Sequence, residues 1–99
     1  MEIMKEIGQG AMTIRLKGRL ETVTAPKLEE VVANELEDIT ALTVVMEEVE
    51  YVSSAGLRVL LGAEKKMKAK GGELTVEQVP TAVMDVFKIT GFDKILTLR

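Results

Sequence analysis

The stretch Leu42–Leu61, LTVVMEEVEYVSSAGLRVLL, decides the fold class. It opens on Leu42 to Met46, a short apolar run with β-branched residues, which reads as a central strand buried on both sides or nearly so. Glu47, Glu48 and Glu50 then read as a solvated surface turn. Ser53 and Ser54 introduce a helix whose inner face is marked by Leu57, Leu60, Leu61 and, further on, Met67. Gly71-Gly72 supplies the left-handed stop that helices favour. A buried strand running straight into an amphipathic helix is the repeating unit of an alternating α/β chain.

The same pattern extends to both sides. Residues 2–7 form a weak candidate strand, with a turn at Gly8-Gln9-Gly10. Met12, Ile14 and Leu16 then alternate with Thr13, Arg15 and Lys17, a half-buried strand that Gly18 is expected to end. Thr24 is a candidate N-cap with Pro26 in the first turn, and Leu28, Val31, Val32, Leu36 and Ile39 form one helical stripe opposite Glu29, Glu30 and Glu37. Leu74, Val76 and Val79 read as a strand, with Glu73, Thr75 and Glu77 on its other face. Pro80-Thr81 starts a third helix with inner residues Val83, Val86 and Phe87, capped by Gly91 with Phe92 folded back over its end. Ile95 to Leu98 makes a short last strand or an extended tail. The expected fold is α/β in the order β-β-α-β-α-β-α-β. It is a mixed sheet of four to five strands with parallel crossovers and three helices mainly on one face. All of 1–99 is expected to form a single domain, since 99 residues leave no room for a second core.

Composition excludes more than it assigns. The chain has no His and no Cys, which removes Ser-His-Asp and Cys-His nucleophile systems, zinc and iron–sulfur sites of the usual ligands, and disulfides. Hydrophobic residues are 46% but aromatic ones only 3%, so the core is aliphatic, with the six Met expected mainly as gap fillers. The net charge of −3 argues against nucleic acid as a partner. The one cationic cluster, Lys65, Lys66, Lys68 and Lys70, falls in the last turns of a helix, where cations favour the dipole. Val59–Ala63, the longest run of small or apolar residues, is far below the ~18 needed to cross a membrane. Glu2, Lys5 and Glu6 interrupt any secretory leader, and the lack of Cys fits a reducing compartment, so a cytoplasmic location is expected. No G-x-x-x-x-G-K-[ST] or G-x-G-x-x-G loop is present, so no enzyme and no cofactor is expected.

One constellation stands out: Tyr51-Val52-Ser53-Ser54-Ala55-Gly56-Leu57, which joins the buried strand to its helix through two hydroxyls and a glycine. A serine oxygen there can simply cap the helix, contributing roughly 1 kcal/mol. A serine there can also carry a phosphate, because a helix N-terminus holds about half a positive charge and spare N–H donors. Phosphorylation would present about two negative charges to any surface complementary to a neutral hydroxyl.

The stretch from Leu42 to Leu61 resembles the signature of the STAS domain, found in bacterial anti-sigma-factor antagonists and in sulfate-transporter tails. Gly18-Arg19-Leu20-Glu21-Thr22-Val23-Thr24-Ala25 resembles the family's G-x-[LI]-[DE]…[ST]-A lead into its first helix, and Gly71-Gly72 and Gly91-Phe92 also match its pattern. The resemblance implies a partner-switching regulator that binds an anti-sigma factor with serine kinase activity and is released on phosphorylation. A PP2C-type phosphatase then resets it. The family's acceptor in D-S-[STA]-G falls on Ser54, with Ser53 as second choice; Ser53 stands where the family carries an acidic residue. The expected partner-binding residues are Glu21, Thr22, Ser53, Ser54, Ala55, Gly56, Arg58, Gly62 and Lys65. The helical wheel turns Arg58, Gly62 and Lys65 outward beside the acceptor, and Glu21 and Thr22 share its end of the sheet. The alternative is a STAS module that is never phosphorylated and acts as a scaffold in a transporter or signalling assembly.

Overall fold

Strand β1 (Glu2–Gly8) and strand β2 (Ala11–Leu20) form a hairpin, in register from Glu2 opposite Lys17 to Gly8 opposite Ala11. Gln9 and Gly10 close it, both with positive φ, the geometry that matches the twist of a two-residue hairpin loop. The computed structural model describes residues 1–99. Beyond the hairpin come helix α1 (Ala25–Asn34), strand β3 (Ala41–Val52), helix α2 (Ser54–Ala69) and strand β4 (Glu73–Glu77). Helix α3 (Thr81–Thr90), a 3-10 turn at Phe92–Lys94 and strand β5 (Thr97–Leu98) complete the chain. The sheet order is β1-β2-β3-β4-β5, antiparallel at the hairpin and parallel elsewhere, the mixed sheet expected.

Leu28, Val31 and Val32 of α1, Leu57, Leu60 and Met67 of α2, and Val83 and Phe87 of α3 share one core cluster with Met12, Ile14, Leu42, Val44, Leu74 and Val76 of the sheet. The cluster contains 25 buried residues, enough apolar surface for the three helices to be held by burial rather than by helix propensity alone. Met12, Met46 and Met67 are fully buried gap fillers, whereas Met4 on the edge strand is exposed.

Several sequence expectations are corrected. Gly18 does not end β2; it adopts φ +109 within the strand, and pairing continues to Leu20. β3 does not stop at Met46, and Glu47, Glu48 and Glu50 lie on it rather than on a turn. The pairing offset between β2 and β3 steps twice, between Arg15 and Lys17 and again between Gly18 and Arg19, so β3 carries extra residues that β2 lacks. Such bulges re-aim side chains, which places buried Met46, Val49 and Val52 at intervals of three and hides the strand period. Leu36 and Ile39 are buried but lie beyond α1, which ends at Asn34. Thr75 does lie on the face opposite Leu74 and Val76, and it is buried there with Thr43 and Thr97 in register on either side. Gln78, with φ +54, turns the chain before Val79 can join β4. Ile95 is exposed after the 3-10 turn, and the last strand is only Thr97–Leu98.

The lysine cluster lies at the C-terminal end of α2, as expected, and two of its members have a further role. Lys66 Nζ donates to the carbonyls of Val32 (2.7 Å) and Ala33 (3.1 Å), and Lys70 Nζ donates to those of Leu36 and Glu37. Two lysines near the end of α2 therefore satisfy the carbonyls left free where α1 ends.

Candidate functional site

The parallel strands β2 and β3 end side by side, and the two loops leaving them form one surface. Leu20 pairs with Val52, and the Ser53 N–H donates to the Leu20 carbonyl at 2.9 Å. Gly56 makes this closeness possible. A Cβ there would lie 2.7 Å from both the Leu20 carbonyl oxygen and its Cγ, so no larger residue fits without a shift. Gly56 is accordingly buried and shapes the loop rather than lining its surface.

The two serines divide the possible roles. Ser53 has extended backbone (φ −90, ψ 176) and is the N-cap of α2, its Oγ accepting from the Gly56 N–H at 3.4 Å. Ser54 is the first helical residue and is exposed. Its hydroxyl is not needed for the cap and faces solvent.

The second loop is pinned from within. Thr24 does not cap α1 with its side chain; its Oγ1 accepts from the Glu21 N–H at 2.9 Å and donates to the Arg19 carbonyl. The Ala25 N–H donates to the Glu21 carbonyl at 2.7 Å. Glu21 is held by Arg19 at 2.8 Å, and the Arg19 guanidinium lies 4.5 Å from the centroid of the Tyr51 ring. On this fixed loop Val23 is 81% exposed, an apolar side chain presented to solvent.

Between the starts of α1 and α2 runs a groove of about 230 Å³, with Thr22, Ala25, Pro26 and Glu29 on one wall and Ala55, Arg58 and Val59 on the other. It is open and smaller than the roughly 300–1,000 Å³ of ordinary small-molecule pockets, so it suits a protein surface better than a cofactor. Of the expected residues, the fold brings Glu21, Thr22, Ser53, Ser54, Ala55, Gly56 and Arg58 to one end of the sheet. Gly62 and Lys65 are exposed on later turns of α2 and lie outside the groove. The Arg19–Tyr51 stack, the exposure of Val23, and Ala25, Pro26 and Glu29 on the α1 wall of the groove were not read from the sequence. No local pattern signals the first of these, because Arg19 comes opposite Tyr51 only through the two register steps between β2 and β3.

Comparison with known proteins follows the same lines. The family model described as STAS domain matches residues 2–99. The chain is 29% identical over 85 residues to the anti-sigma-B factor antagonist of Bacillus subtilis, covering 86% of this chain and 78% of that protein. It is 31% identical over 84 residues to the anti-sigma-B factor antagonist of Staphylococcus aureus, covering 84% and 78% respectively. The crystal structure of an anti-sigma factor antagonist from Mycobacterium paratuberculosis matches with a TM-score of 0.85 at 28% identity, covering 98% of this chain and 83% of that one.

Proposed function

The chain belongs to the STAS domain family, and from that premise we propose that it is an anti-sigma-factor antagonist that switches partners through Ser54. The observation that carries this reading is the division of labour at the junction: Ser53 caps α2, which leaves the exposed Ser54 hydroxyl free for modification. Similarity to proteins named anti-sigma-B factor antagonists supplies the partner class. With Ser54 unmodified, the loops around Glu21, Thr22 and Ala55 and the Arg58 wall of the groove bind an anti-sigma factor in the cytoplasm, and its sigma factor is freed. The anti-sigma factor, acting as kinase, transfers the γ-phosphoryl of ATP to Ser54 Oγ; the O–P bond forms, ADP leaves and the hydroxyl proton is lost. The new dianion lies where the partner met a neutral hydroxyl, and the complex separates. A PP2C-type phosphatase returns inorganic phosphate by hydrolysis. The module itself binds rather than catalyses.

Intact-mass measurement after incubation with ATP and each anti-sigma kinase of the source genome tests the reading, the expected result being one phosphate per chain, lost in Ser54→Ala. Ser54→Asp should weaken binding to the anti-sigma factor by tenfold or more with an unchanged circular dichroism spectrum. Wild-type affinity in that variant and an unmodified mass with every kinase would favour the alternative, a scaffolding STAS module. The presence of Ser53 where the family carries an acid is the feature in favour of that second reading.

A further inference from the structure

Arg58 lies four residues beyond Ser54 on α2, a spacing at which helical side chains are neighbours, and both residues are exposed. Arg58 takes part in none of the molecule's four ion pairs. Glu29 lines the opposite wall of the groove without bridging it. The other arginine at this end, Arg19, is already held by Glu21 and stacked on Tyr51. Arg58 is thus the one uncommitted cation in the first two turns of α2.

Resting on the reading of Ser54 as the phosphoacceptor, we propose that Arg58 is the internal counter-charge of the Ser54 phosphate. A phosphoserine carries nearly two negative charges and three acceptor oxygens, and a guanidinium offers a planar fork that fits them in a bidentate pair. Modification therefore acts twice on the same surface. It adds a dianion at Ser54 and draws the Arg58 cation out of the groove, so an acidic group that a partner sets against Arg58 loses its contact as well.

The test installs phosphoserine at position 54 during synthesis of the full chain, so no kinase is required, and follows the second ionisation of the phosphate by phosphorus-31 NMR. In the otherwise wild-type protein the phosphate should hold its last proton about twofold or more less tightly than in the same protein carrying Arg58→Ala. Arg58→Lys should recover part of the difference, because it keeps the charge and loses the fork. Superimposable titrations in the wild-type and Arg58→Ala backgrounds overturn the proposal. Both substitutions are at an exposed position, and equal melting temperatures of the unphosphorylated forms verify that the fold is intact. Kinase recognition and partner release do not enter this measurement, so a failure of the acceptor reading shows up in the mass experiment and a failure of the pairing shows up here.

Discussion

Ser53 and Ser54 are adjacent and chemically identical, yet the backbone separates them: Ser53 is extended and caps, Ser54 is helical and exposed. Their alanine variants should therefore differ. Ser53→Ala should lower stability by about 0.5–1 kcal/mol, toward the weak end for a cap because its bond to Gly56 is long at 3.4 Å. Ser54→Ala should stay within about 0.5 kcal/mol of wild type, as exposed substitutions away from caps do. Urea unfolding of the two variants decides the matter, and a larger loss in Ser54→Ala would assign the cap, and not the switch, to Ser54. The pair of hydroxyls was legible in the sequence; which one caps was not, because a cap is defined by φ and ψ at the junction rather than by residue type.

At the scale of elements, the strand-to-helix unit in Leu42–Leu61 was readable, but the full length of β3 was not. The twin bulges opposite β2 break the alternation, so Glu47, Glu48 and Glu50 look like a turn while lying on a paired strand. The loop between β3 and α2 depends on that pairing, since it carries β3 far enough to set Gly56 against Leu20. Gly56→Ala should cost about 1–3 kcal/mol, because its Cβ meets a backbone carbonyl that cannot rotate away. Thermal melts of Gly56→Ala and Gly62→Ala provide the comparison: Gly62 opens onto empty space, so its alanine should gain stability from helix propensity, and a like gain in Gly56→Ala would mean that contact with Leu20 does not govern that site. In α2 the inner positions Leu57, Leu60 and Met67 are buried as read, whereas Leu61 is only half-buried.

Across the whole molecule, all three helices and the sheet share one cluster, and the end that holds Ser53 and Ser54 is attached to it through Leu20, Val52 and Leu57. A single cooperative unit over 1–99 follows as a proposal. Tyr51 fluorescence, which reports the end of β3, and circular dichroism, which reports all elements, should give coincident urea midpoints. A Tyr51 transition at lower urea would show that this end of the sheet melts independently. Glu64 is the exception within this interior: it is 4% exposed, with Oε2 unpartnered and Oε1 3.6 Å from Lys68. A buried carboxylate so poorly matched costs stability.

The amino-acid sequence by itself determined the element types, their order, the inward stripes and the junction that holds the candidate acceptor. Each of these follows from side-chain direction along a local backbone, which periodicity records directly. Only the tertiary structure decided how far β3 extends, which serine caps, and that Lys66 closes the end of α1 from 34 residues away. Those outcomes depend on contacts between segments remote in the chain, and no local pattern of polar and apolar residues encodes which distant carbonyl a lysine will reach.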